Sequence, residues 1–149
     1  MARPSDAGAL GELFHRAIRE GESPYTEPQR AAWSPELRGA TYWEARICGQ
    51  AVVLEEREGQ VLGFMSLDPE GCIDLAFILP HARGVGLFRT LYGAIEERAL
   101  ALGLARLWTH ASLMAEPAFR SVGFRVIQRE TVDLAGQTLR RAEMEKMLA

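Results

Sequence analysis

The chain has 149 residues, 48% hydrophobic and 25% charged, with a formal net charge of −3. That length suits one domain built around a single core. The mixed, slightly acidic charge has no basic tail or stripe and so argues against nucleic acid as a partner. No run approaches the ~20 apolar residues of a membrane span, and no His/Cys cluster has the spacing of metal ligands. The opening residues lack the sustained apolar core of a signal peptide, and a cytoplasmic, reducing location is expected.

Taken in order, Ser5 or Asp6 can cap a helix in which Leu10, Leu13, Phe14, Ala17 and Ile18 recur at three and four residues. His15 falls off that stripe and reads as an exposed surface residue. Residues 21–35, with their Gly, Ser and Pro, read as a loop or broken short helix. Tyr25 and Trp33 within it either cover the core edge or wall a substrate pocket. Residues 35–47 can form a second helix, and Trp43 there is a further candidate for that wall. Residues 51–56 and 61–67 read as a β-hairpin turning at 57–60. Residues 72–79 are apolar on both faces except at Asp74, the pattern of a central strand. Cys48 and Cys72 lie in apolar runs and are expected to be small buried hydrophobes rather than bridges or ligands.

The stretch His81-Ala82-Arg83-Gly84-Val85-Gly86 follows that strand and precedes an amphipathic helix, residues 87–102, with Leu87, Leu91, Ile95 and Ala99 on one face. Tyr92 falls off that face. A glycine-bearing turn opening a helix can cradle an anion, because backbone N–H groups and the helix dipole point at it. Arg83, Gly84, Val85, Gly86 and Leu87 would present successive donors, with charge from His81 and Arg83 in support. The other reading is a plain tight turn. Residues 105–110 read as a strand parallel to 72–79, followed by a short helix at 117–121. A final hairpin joins 124–134 to 138–148 around Ala135-Gly136. Its second arm competes with strong local helix propensity.

The turn and the order of elements resemble the GNAT superfamily of N-acetyltransferases, whose signature turn is Gln/Arg-x-x-Gly-x-Gly/Ala. Ala111-Ser112, Ala115, Phe119 and Gly123-Phe124 resemble the Ala-Ser-x-x-Ala-x-x-Phe-Tyr-x-x-x-Gly-Phe stretch of one bacterial subgroup. Trp33 and Pro35 resemble its early Gln-x-x-x-Trp loop, and Met144-Glu145-Lys146 its closing strand. The resemblance implies one α+β domain over 1–149, three-layer α/β/α, with a mixed, mostly antiparallel twisted sheet. A central parallel strand pair would splay, and the first strand would be short or absent, since little precedes Arg3-Pro4.

The resemblance also implies an acetyl-CoA-dependent N-acetyltransferase. It would acetylate a primary amine of a small molecule, peptide or protein by direct attack in a ternary complex; a homodimer would suit the family. A backbone N–H near Phe77, Ile78 and Leu79 would polarise the thioester carbonyl, with Ser112 and Phe119 also beside the cofactor. Asp74 is the only ionisable group in its strand. A carboxyl there should have a raised pKa and could act as general base; the competing reading pairs it with an arginine near the strand end. Ser112 and His110 are further catalytic candidates. Phe119 stands where the family often has a tyrosine acid, which leaves open a non-catalytic acyl-CoA-binding or regulatory module.

Overall fold

A computed structural model describes residues 2–148. They form α1 (Ala7–Arg19), α2 (Glu27–Trp33), α3 (Ala40–Ile47), β1 (Ala51–Arg57), β2 (Gln60–Leu67), β3 (Ile73–Ile78), α4 (Leu87–Ala101), β4 (Arg106–Ser112), α5 (Glu116–Ser121), β5 (Arg125–Leu134) and β6 (Gln137–Met147). Among the described residues, no strand precedes α1. Ala2 donates its N–H to the Val52 carbonyl at 2.8 Å, a single rung where an edge strand would lie. No helix among them is long and apolar enough to cross a membrane.

The strands form two antiparallel half-sheets, ordered β1-β2-β3 and β4-β6-β5. They meet at a parallel bridge between Cys72 and Trp108, where the Trp108 N–H donates to the Gly71 carbonyl at 3.0 Å. One side-chain bond, Thr109 Oγ1–H to the Ile73 carbonyl at 2.8 Å, extends the join. Past it no ladder continues, so β3 and β4 part. Gly71 makes the join possible: at φ +107° a Cβ would sit 2.6 Å from the Arg106 carbonyl oxygen.

Helices cover the sheets unequally. On one face α1 and α3 bury Leu10, Leu13, Ala17 and Trp43 against Val52, Phe64 and Leu75 of the first half-sheet. On the other, α4 buries Leu87, Leu91, Ile95 and Ala99 against both half-sheets, through Met65, Leu67, Leu107 and Met144. Trp43 is therefore a core residue, and it lines neither of the two cavities at the gap between β3 and β4.

Several local expectations change in three dimensions. The 21–35 segment contains α2, held by a capping box: Thr26 Oγ1 accepts the Gln29 N–H at 3.3 Å and Gln29 Oε1 accepts the Thr26 N–H at 2.8 Å. α3 begins at Ala40, with extended Gly39 as its N-cap, and not near Pro35. Asp6 is the N-cap residue of α1, yet its carboxylate accepts the Arg3 N–H at 2.7 Å instead of capping the helix. His15 is half-buried, its Nδ1 2.7 Å from Ser34 Oγ. Cys48 is exposed, because it terminates α3, whereas Cys72 is buried and its thiol is pushed up to about 12, by burial first and then by the Asp68 and Asp74 charges. Tyr92 is buried against Phe124, its hydroxyl donating to Glu96 at 2.8 Å. The last segment is a strand, because β6 lies between β4 and β5 and pairs with both.

Candidate active site

The turn after β3 is open on one side. Gly84 and Gly86 hold φ of +79° and +83°, where a side chain is strained, and a Cβ at either would meet nothing within 4 Å. Gly86 is the N-cap of α4 and supplies no side-chain cap. The Thr90 N–H pairs with the Gly86 carbonyl at 3.2 Å, so the N–H groups of Leu87, Phe88 and Arg89 precede the helical ladder. The run of open donors starts at Gly84 and not at Arg83, whose N–H donates to the Pro80 carbonyl at 3.4 Å. The Arg83 side chain turns inward: Nε donates to the Ile78 carbonyl at 3.1 Å and Nη2 to the Ala17 carbonyl at 2.8 Å. Burial, and then the Arg30 charge, lower its pKa. His81 and the side chain of Val85 are exposed and face solvent, outside the cavity that the turn borders.

That cavity, about 370 Å³, runs from the turn to the gap between β3 and β4 and includes Phe77, Ile78, Gly84, Gly86, Leu87 and Ser112. Tyr25 and Trp33 wall it. The Tyr25 hydroxyl donates to the Arg140 carbonyl at 2.5 Å and accepts the Leu113 N–H at 2.9 Å; burial raises its pKa. Arg89 also lines the cavity, anchored by Nη2 to the Ser121 carbonyl at 3.1 Å. Sequence reading missed Arg89, although a cation in the first turn of a helix opposes the dipole and so signals a site for an anion.

Besides His81, two more residues expected at the cofactor lie outside this cavity. Leu79 is 1% exposed in the α1-side core, and its N–H is taken by the Leu62 carbonyl at 2.9 Å. Along a strand, alternate residues point their N–H groups to the same side. Phe77 therefore faces β2 as Leu79 does, while the Ile78 N–H opens into the gap, on the side where Arg83 meets the Ile78 carbonyl. Phe119 is packed in the core, with ring centroids 5.0 Å from Phe88 and 5.1 Å from Phe124. It borders a second cavity and not the first.

The second cavity, about 230 Å³, lies further along the same gap and shares Trp33, Ala76, Phe77, Ser112 and Ala115 with the first. Asp74, His110, Arg46 and Arg141 reach it. Asp74 is paired with Arg46 through both carboxylate oxygens and accepts Gln50 Nε2–H at 2.8 Å. Burial pushes its carboxyl up, but the hydrogen bonds from Arg46 and Gln50 together with nearby positive charge outweigh it, so the pKa falls. The expected raised pKa is thus reversed, because Asp74 is paired with an arginine. Ser112 lies on the wall common to both cavities, and its Oγ accepts the Ala115 N–H at 3.1 Å, ahead of α5.

His110 Nδ1 is 2.6 Å from Glu130 Oε1, and Arg141 Nε donates to that same oxygen at 2.8 Å. Burial pushes the Glu130 carboxyl up, but the His110 bond and Arg141 hold it below the ordinary range. An ionised carboxylate only accepts hydrogen bonds, so Nδ1 carries the proton and a neutral imidazole keeps its lone pair on Nε2. The strand register places His110 and Ser112 on one face of β4 and Arg141 opposite Ser112 on β6.

The family model described as "Acetyltransferase (GNAT) domain" matches residues 22–147. No curated protein matches the chain. Among solved structures, the chain is similar to a Rhodopseudomonas palustris protein described as "GCN5-Related N-acetyltransferase: Aminotransferase, Class-II", at 30% identity and TM-score 0.90 over 99% of this chain and 92% of that one. It is also similar to the ribosomal-protein-alanine N-acetyltransferase of Brucella melitensis, at 25% identity and TM-score 0.75 over 99% and 97%. The phosphinothricin acetyltransferase of Sinorhizobium meliloti, solved with acetyl-CoA, shares the fold at 19% identity and TM-score 0.75 over 99% and 85%.

Proposed function

The chain belongs to the GNAT acetyltransferase family, and on that premise we propose that it moves an acetyl group from acetyl-CoA to a primary amine by direct attack within a ternary complex. One observation carries this reading: two cavities enter the gap between β3 and β4 and share the wall formed by Phe77 and Ser112. A donor in one and an acceptor in the other would meet there.

Acetyl-CoA, when bound, supplies the activated thioester. The N–H groups from Gly84 to Leu87 would hold its pyrophosphate, with the α4 dipole and Arg89 adding charge. Gly84 and Gly86 suit close approach, because nothing of the protein lies over them. The Ile78 N–H, on the open side of β3, would donate to the thioester carbonyl, and donors aimed at developing negative charge contribute a few kcal/mol.

His110 is the base in this reading: Glu130 fixes its Nδ1–H, and Nε2 takes the proton that the amine loses. Asp74 orients Arg46 and shapes the acceptor cavity, since both its oxygens accept from Arg46 or Gln50 and its proton affinity is lowered. Phe119 has no proton to give. A thiol of pKa near ~8.5 leaves tolerably as the thiolate without an acid, and Ser112, whose Oγ accepts from Ala115, has its O–H free to hydrogen-bond to that thiolate without giving up the proton. Tyr25 has spent its hydrogen on Arg140.

The test is thiol release from acetyl-CoA with a panel of amines, with product mass read in parallel. Stoichiometric thiol and acetylated amine are expected. Tight coenzyme A binding with no turnover on any amine would overturn the reading in favour of a binding module.

A further inference from the structure

The acceptor cavity offers more than a base. The acidic group lining it, Asp74, is already partnered by Arg46 and Gln50, and Glu130 behind the wall is bound by His110 and Arg141. Arg141 differs. Among the described residues it spends Nε on Glu130, and neither terminal nitrogen is hydrogen-bonded. A half-buried guanidinium with a free fork at a cavity wall is suited to a planar carboxylate, which it can bind through two parallel hydrogen bonds.

The position of that fork matters as much as its charge. His110 and Arg141 are both tied to Oε1 of Glu130, so the imidazole and the guanidinium stand side by side. Their strand positions are diagonal neighbours on one face of β4 and β6. A base and a carboxylate receptor held together by one oxygen match a molecule whose amine and carboxylate are close neighbours. Phe14, Trp33 and Phe77 supply an apolar wall across the cavity. At about 230 Å³ the space is smaller than the ~300–1,000 Å³ of sites for drug-sized ligands.

We infer that the acceptor is a free amino acid with an apolar side chain, its amine presented to His110 and its carboxylate bound by Arg141. This rests on the acetyltransferase reading above.

The experiment compares acceptors that differ only at the carboxylate. Free apolar amino acids, their methyl esters and the corresponding decarboxylated amines are assayed with acetyl-CoA, and coenzyme A binding is measured separately by calorimetry. For at least one free amino acid, kcat/KM is expected to exceed that of its ester and its amine by tenfold or more. Arg141→Gln should raise KM for the amino acid at least tenfold and abolish its kcat/KM advantage over the ester. Esters, simple amines or polyamines turned over as well as or better than free amino acids would overturn the inference and leave acetyl transfer standing. So would coenzyme A binding with no amino acid acetylated. Failure to bind coenzyme A would overturn both. The wild-type series decides the question even where Arg141→Gln does not fold.

Discussion

At the scale of single residues, proton handling depends on which group keeps a lone pair free and a proton affinity to use it. Asp74 looks like the base in sequence, because it is the one charge in an apolar strand. Its environment comes from Arg46 and Gln50, whose approach across the fold sequence spacing cannot supply. His110→Gln is expected to lower kcat/KM by about 10²–10⁴, the range for a general base, with coenzyme A affinity unchanged by calorimetry. Asp74→Asn should act mainly on the KM of the amine. The His110–Glu130–Arg141 group was illegible for a related reason: its members are far apart in the chain and meet only through the register of three strands. Gly86→Ala should cost about 1–2 kcal/mol of stability from its left-handed backbone, read by denaturant midpoint. Its larger effect is expected on coenzyme A affinity, since the added methyl projects where no protein atom stands.

At the scale of elements, the parts legible in sequence are those where local pattern and tertiary role agree. β3 is apolar on both faces because cores lie on both sides of it, and α4 keeps one stripe because one face meets the sheets. α2 was only half legible. Proline and serine around it read as a loop, while Thr26 and Gln29, three residues apart, close its first turn. Thr26→Ala should destabilise the protein by about 0.5–2 kcal/mol, measured as a lower denaturant midpoint. Because Gln29 Nε2 also donates to the Thr138 carbonyl at 2.9 Å, loosening α2 should weaken the seat of Trp33 as well. β6 shows the opposite case. Its residues favour a helix, yet two flanking ladders and the burial of Ala142 and Met144 make it a strand. Resemblance to a known fold, not propensity, gave the correct assignment there.

At the scale of the whole molecule, carboxylates tied to arginine brace the second half-sheet. Glu145 bonds Arg106 at 2.7 Å and also Arg125, and those hydrogen bonds hold its carboxyl below the ordinary range. Glu116 is lowered in the same direction, first by Arg129. For such groups the unfolded chain binds protons more readily than the folded one. Their contribution is complete above the unfolded value of ~4.3 and is lost as pH falls through the lower folded value. Thermal midpoints should therefore fall below about pH 4, and Glu145→Gln should lessen that fall.

The two cavities also fix how the partners arrive. One borders the glycine turn; the other borders Arg46, His110 and Arg141. They touch only along a short common wall. Beyond the five residues they share, each has its own lining, so one occupant leaves most of the other's surface uncovered. Addition should then follow no compulsory order: a dead-end analogue of either reactant should be noncompetitive with the other, whereas a compulsory order would make the analogue of the second reactant uncompetitive with the first. The divided sheet thus leaves two separate chambers with one point of contact.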